Sequence, residues 1–245
     1  MLKVIGVSEI ITAVNWNVIG IYIGMLFIAE MFTYSKMPEF LARTFVNKSK
    51  RTWLAMLFVC TLAGFISIFV ENVATVLIVA PIALQIAKEQ KISPVKLIFA
   101  ITIMSNLQGV ATMIGDQPSL LLAAHAGLKF NDCFFYHGKP SLFFAVQVGA
   151  IAGTLFLYYL FRKFRQKPAK VRHQHVITYV PVVILVVMVL LLVISSNFDA
   201  KYLSSYNISY LSSLSSYSAG LITLILGLVL LPWYHSHNKK DFKPM

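Results

Sequence analysis

The stretch SIFVENVATVLIVAP, Ser67–Pro81, decides what kind of protein this is. Most of it would dissolve in hydrocarbon, yet Glu71 and Asn72 stand in its middle with no polar loop around them. A carboxylate and an amide are costly in lipid unless another group or a water-filled cavity compensates them. The flanking runs Trp53–Val70 and Val73–Ala87 therefore read as two arms of a helical hairpin, 53–87, with Glu71-Asn72 at its tip. Glu71, Asn72, Thr75 and nearby Ser67 offer oxygen ligands to whatever cavity covers that tip.

The composition agrees with a lipid solvent. Only 12% of the 245 residues are charged, against about 25% in ordinary soluble domains, and mean hydropathy is +0.75. Besides the hairpin arms, apolar runs occupy Val18–Phe32, Leu97–Ile114, Leu142–Phe161, Ile177–Ile194 and Ala219–Trp233. Such runs are helical because an open strand leaves its backbone unsatisfied in lipid. The expected fold is thus all-α, a polytopic membrane protein in contact with the lipid bilayer. Cys60 and Cys133 are too few and too far apart for a disulfide framework or a zinc site.

A net charge of +12 would suggest nucleic acid in a soluble protein. Here the basic residues fall between apolar runs, as topogenic charge does, and no nucleic-acid partner is expected. Seventeen of the 21 lysines and arginines lie in segments 34–52, 88–96, 162–176 and the C-terminal tail. Putting those segments in the cytoplasm makes the hairpin enter and return from one side. An integral protein of the plasma (inner) membrane follows. The hairpin either crosses fully or is re-entrant. Re-entry is favoured by the missing polar loop and by a second arm, Val73–Ala87, short of the ~20 residues a span needs. The alternative is two ordinary helices with Glu71-Asn72 at the outer interface.

A second unusual stretch is SNLQGVATMIGDQPS, Ser105–Ser119. Gly109, Gly115 and Pro118 crowd together there, surrounded by Ser105, Asn106, Gln108, Thr112 and Asp116. Glycine and proline release backbone groups, so the helix that starts at Pro94 is expected to break and resume. Asp116 is placed as the N-cap of the resumed helix, with Pro118 in its first turn. The broken helix then occupies about 94–126. Broken helices aim freed carbonyls at cations and half-helix N-termini at anions, as many secondary transporters do. The alternative is an extracellular loop followed by a surface helix.

NWNVIGIYIGMLFIAEMF, ENVATVLIVAP, SNLQGVATMIGDQPS and KFNDCFFYHGKPSL, in that order, resemble the ion transporter superfamily. The likeness is to arsenite permeases and arsenite-pump-type sodium/proton antiporters, which share a citrate-transporter-like domain. It covers Asn15 to about Arg162. It implies two inverted repeats, each with a re-entrant hairpin and a broken helix that meet at a midplane site. Carried onto this chain, the ion or substrate site comprises Glu71, Asn72, Thr75, Ser105, Asn106, Gln108, Gly109, Thr112, Gly115 and Asp116. Na+ or H+ is the implied coupling ion at the same residues, with no other metal or cofactor. Glu71 replaces the family's aspartate, Gln108-Gly109 its double glycine, and Gln117 and Ser119 a proline and an asparagine.

The resemblance divides the chain in two. Residues 1–163 form a first-repeat transport unit: helix 16–33, an interfacial arm at 37–48, the hairpin, the broken helix, and a helix at 141–162. Residues 164–245 supply a basic linker and two further helices, 177–195 and 218–233. Nothing after Lys163 repeats the hairpin and break, and two helices usually precede the first motif. The chain is therefore expected to be half of a two-repeat permease, completed by a second copy or by a chain carrying the other repeat.

Smaller features include Glu30, expected to snorkel or to pair with Lys36, and a Ser/Tyr-rich run, Ser195–Ser218, read as an extracytoplasmic loop. That loop contains the sequon Asn207-Ile208-Ser209. No nucleophile–base pair or metal cluster stands among the buried polar residues, so an enzyme is not expected. Two functions remain. One is a secondary active transporter of an inorganic ion or small anion driven by a Na+ or H+ gradient. The other is an accessory or degenerate subunit without transport of its own.

Overall fold

In lipid the backbone must satisfy itself within each segment, and the chain does so with helices of unequal length. The computed structural model describes residues 14–168, 171, 174–197 and 209–241, with the backbone alone at 209–218 and 237–241. Helix α1, Trp16–Tyr34, starts at Asn15, whose side chain accepts the Val18 N–H at 3.3 Å. Lys36, at φ 57°, turns the chain into α2, Met37–Lys48. Pro38, Ala42 and Val46 are buried at helical spacing, so the 37–48 arm is a packed amphipathic helix. Glu39, one turn beyond the bend, accepts Lys36 Nζ at 3.0 Å. This corrects the expected Glu30–Lys36 pair; Glu30 is exposed.

The hairpin is α3, Thr52–Ser67, and α4, Asn72–Glu89, joined by four residues. Helix α5, Val95–Gly109, ends in a break at 110–116 and resumes as α6, Gln117–Ala126, which Gly127 closes at φ 65°. After a 3-10 turn at Phe130–Cys133, strands β1, Phe135–Tyr136, and β2, Lys139–Pro140, pair antiparallel. His137 and Gly138, both at positive φ, make the tight turn between them. Helices α7, Leu142–Phe161, α8, Val180–Asn197, and α9, Ser209–Asp241, follow. The loop expected over Ser195–Ser218 is corrected at both ends: α8 extends through Asn197, and 209–218 are helical within α9. Asn207 and Ile208 of the sequon lie outside the described residues.

Among the described residues, five helices are long and apolar enough to cross a membrane: α1, α4, α7, α8 and Ala219–Ser236 within α9. At ~1.5 Å per residue, α3 and α5 reach only about 24 and 22 Å, short of ~30 Å of hydrocarbon. The expected short arm was the second; the structure makes it the first. Lys88 and Glu89 extend α4 beyond its apolar run, because intrahelical hydrogen bonds do not require apolar side chains.

Two buried clusters hold these pieces. In the first, small residues of α3 (Ala55, Cys60, Ala63) let α4 and α5 approach, with Val79, Ile82, Leu97 and Ile101 filling the contact. In the second, Ile21, Met25 and Ile28 of α1 pack with Met113, Leu120, Met188 and Leu230. Helices α1 and α9 meet backbone to backbone. Asn17 Oδ1 accepts the Gly220 N–H at 2.7 Å, and a Cβ on Gly24 would lie 2.3 Å from the Thr223 carbonyl carbon. Small residues at such a seam replace hydrophobic drive with close van der Waals contact.

The hairpin returns Lys91 to the end of the bundle that holds Lys50, whereas Asn131 bonds to Ser196 and Asn197 at the far end of α8. Single cysteines at 50 and 91 should label from one side with an impermeant reagent, and one at 131 only from the other. Cys60 and Cys133 are buried, and burial also pushes the Cys133 thiol up. The native protein should therefore show almost no background labelling. Labelling of 50 and 91 from opposite sides would overturn the arrangement.

Candidate functional site

The break in α5–α6 docks on the hairpin tip because both lack side-chain bulk where they touch. A Cβ on Gly115 would lie 2.5 Å from Ser67 O and 2.8 Å from Ile68 O. Thr112 Oγ1 donates to Ile68 O at 2.5 Å, attaching the break to a carbonyl freed by the end of α3. Gly109 faces Asn72: its Cβ would fall 2.1 Å from Asn72 Oδ1. Glycine at 115 leaves room for the backbone of the tip, and glycine at 109 for the Asn72 side chain in its bonded position.

Asn72 is the centre of the polar cluster. Its Oδ1 accepts Ser67 Oγ at 2.5 Å, and its Nδ2 donates to Asn106 Oδ1 at 3.1 Å and to Asp116 Oδ1 at 3.4 Å. Ser105 Oγ reaches Ser67 Oγ at 3.0 Å and the Asn72 carbonyl at 3.3 Å. Ser67, Asn72, Ser105 and Thr112 are buried, Asp116 is half-buried, and Asn106 is exposed. The convergence of tip and break is therefore a network of neutral oxygens with one carboxylate at its edge.

Glu71 and Asp116 share a different surface. Both line a shallow, open cleft with Ile21, Tyr22, Met25 and Leu26 of α1. Those residues lie roughly 8–15 Å along α1 from Trp16, at ~1.5 Å per residue. The tip therefore sits level with the middle of a spanning helix, not at its end. A tip at that level is what a re-entrant hairpin requires. Glu71 is the N-cap of α4, its Oε2 accepting the Ala74 N–H at 3.0 Å. Asp116 occupies the N-cap position of α6 but makes no cap hydrogen bond; its side chain turns to Asn72 instead. Two helix N-termini, of α4 and α6, thus open on the cleft beside two carboxylates.

Two candidate residues point elsewhere. Thr75 is buried with its hydroxyl on Val70 O at 3.4 Å, inside the hairpin. Gln108 faces α7, where its amide and that of Gln147 exchange hydrogen bonds of 3.2 and 2.9 Å. Gln147 has one signal in the sequence, being the one amide in the α7 run. Tyr22, whose hydroxyl accepts Gln117 Nε2 at 2.7 Å beside the cleft, has none. Ser67, noted only as a neighbour of the tip, is the direct partner of Asn72.

The amide pair yields a measurable asymmetry. Gln147→Leu strands a buried Gln108 amide and should cost about 1–3 kcal/mol of stability. Gln108→Leu with Gln147→Leu together should cost less than either single change, since neither polar group is left unpaired. Thermal unfolding of the three variants in detergent checks this; an additive double mutant would show that the pair is not coupled.

Comparison with known proteins agrees with this architecture. A family model described as "Citrate transporter" (CitMHS) matches residues 1–235. An uncharacterized transporter of Mycobacterium bovis is 31% identical over 130 residues, which cover 53% of this chain and 30% of that protein. The 46 kDa membrane protein of Mycobacterium leprae is 31% identical over the same length and shares. The P protein of Homo sapiens is 24% identical over 133 residues, 52% of this chain and 16% of that protein. The match thus spans less than a third of these relatives' own length. The family match runs past the expected limit near Arg162 and takes in α8 and most of α9. Spanning helices, a tip-to-break polar cluster and a family match over nearly all of its residues agree: the chain belongs to the citrate transporter (CitMHS) family of membrane transport proteins.

Proposed function

We propose that the protein is a secondary active transporter of a small anion, driven by a Na+ or H+ gradient. The observation that carries this reading is the meeting of the Asn72 cluster with two helix N-termini at the level of the middle of α1. Ser67, Asn72, Ser105 and Asn106 supply neutral oxygens and Asp116 a carboxylate, a hard-oxygen set suited to Na+. The N-termini of α4 and α6 supply partial positive charge for an anionic group on the cleft side. Citrate, from the family's description, is the first substrate to test, and an inorganic oxyanion the second. Segments 34–52, 88–96 and 162–176 are proposed to be cytoplasmic, in the plasma (inner) membrane.

The cluster is one-sided, with Asn106 exposed and Glu71 and Asp116 half-buried on an open face. We propose that a second repeat closes that face, whether carried by a second copy, another chain or a longer form of this one. The accessory reading keeps one observation in its favour: the Glu71 carboxylate is spent on the Ala74 N–H rather than on the Asn72 side chain.

Purified protein in liposomes, with an inward Na+ or H+ gradient, tests the proposal by uptake of labelled citrate. Gradient-dependent uptake is expected. Absence of uptake of citrate and of inorganic oxyanions, even with a second-repeat partner, would leave the accessory reading standing.

A further inference from the structure

The loop after α7 does not hang free at the membrane surface. Thr52 N–H and Oγ1 both donate to Gln166 O, at 2.8 and 2.9 Å, and Trp53 N–H donates to Phe164 O at 3.0 Å. The Asn47 amide then takes both backbone groups of Val171, at 2.9 and 2.7 Å. The loop thereby satisfies two N–H groups left orphaned at the start of α3 and is strapped across its base. Two segments more than 100 residues apart in the chain are joined in this way.

Strapping gathers charge. Lys50 and Arg51 at the start of α3, and Arg162, Lys163, Arg165 and Lys167 on the strap, are all exposed. No carboxylate pairs with any of them among the described residues. The N-terminal end of α3 adds its own positive potential. A topogenic bias needs these charges only on one side of the membrane; it does not need them held together against their mutual repulsion.

The depth of the patch is marked by aromatics. Trp53 packs edge-on against Tyr158 at 5.1 Å, and Arg162 lies 4.2 Å over the ring of Tyr159. Both tyrosines are largely exposed at the end of spanning helix α7. Exposed tyrosines at a span's end, here with a half-buried Trp53 beside them, lie at headgroup level, which puts the six cations among the headgroups or just beyond them. We propose that this strap is a binding site for the phosphate of an anionic phospholipid, which offsets the gathered charge and fixes the base of the hairpin to the bilayer.

The test uses the full chain in mild detergent. Added phosphatidylglycerol should raise the melting temperature by roughly 4 °C or more over an equal amount of phosphatidylcholine. Raising salt from about 50 to about 500 mM should shrink the difference. Lys163→Gln, Arg165→Gln and Lys167→Gln together should abolish it, whereas Lys88→Gln, Lys91→Gln and Lys96→Gln, the same charge removed elsewhere, should not. A shift retained in the first triple variant, lost equally in both, or reproduced by inorganic phosphate would overturn the proposal. If the strap variant does not fold, photoactivatable phosphatidylglycerol on the wild type decides: adducts on the peptides around Arg51 and Arg165 are expected, and adducts spread evenly over basic peptides would refute it.

Discussion

Asn72→Ala is expected to abolish transport while the protein still inserts and folds. The change removes the acceptor of Ser67 Oγ and the donor to Asn106 and Asp116 at one stroke. The stability cost should stay near 1–3 kcal/mol, because Ser105 still reaches Ser67 and Asp116 retains access to water. The transport loss should be larger, at least about 100-fold, because the oxygens that Asn72 holds in one geometry are then free to turn apart. Initial uptake rates in liposomes, normalised to folded protein, measure the effect. Wild-type rates from Asn72→Ala would remove the cluster from the transport cycle.

Gly115→Ala and Gly109→Ala should fail in different ways. At Gly115 the new methyl would meet backbone on two sides, Ser67 O at 2.5 Å and Gly109 O at 2.6 Å. Backbone cannot swing aside, so the break must separate from the tip, at a cost of about 3 kcal/mol or more. Poor expression or a much lower melting temperature is expected. At Gly109 the methyl meets the Asn72 side chain, which can rotate away. The fold should survive with transport lost, as in Asn72→Ala. Gly149→Ala is the control: its Cβ would meet only Leu107 at 3.5 Å, and helix propensity favours alanine by up to about 1 kcal/mol. Equal behaviour of all three variants would show that the tip-to-break contact is not tight.

The hairpin and the break were legible because each violates the rule of its surroundings. Glu71-Asn72 interrupts an apolar run, and Gly109, Gly115 and Pro118 interrupt a helical one. The residues that join the two were legible only as types. Ser105, Asn106 and Thr112 stand out as polar groups near a break, but nothing local says that Asn106 and Asp116 share Asn72 or that Thr112 reaches Ile68. Gln108 shows the limit from the other side. It stands beside Gly109 in sequence, yet one residue is about 100° of rotation on a helix, and Gln108 points to α7 while Gly109 faces the tip.

The sequence by itself determined the solvent, the all-helical class and the two irregular segments. Those depend on hydropathy, on glycine and proline, and on the spacing of charge, all of which act within a few residues. Only the tertiary structure decided that Asn72 is the hub and that Glu71 caps α4 rather than joining that hub. It alone showed that Asp116 leaves its cap for Asn72, that the first hairpin arm is the short one, and that the basic loop is tied down at Thr52 and Asn47. Each of these is a choice between partners for one polar group. Which partner wins depends on which segments pack side by side, and that is settled by burial across the whole bundle.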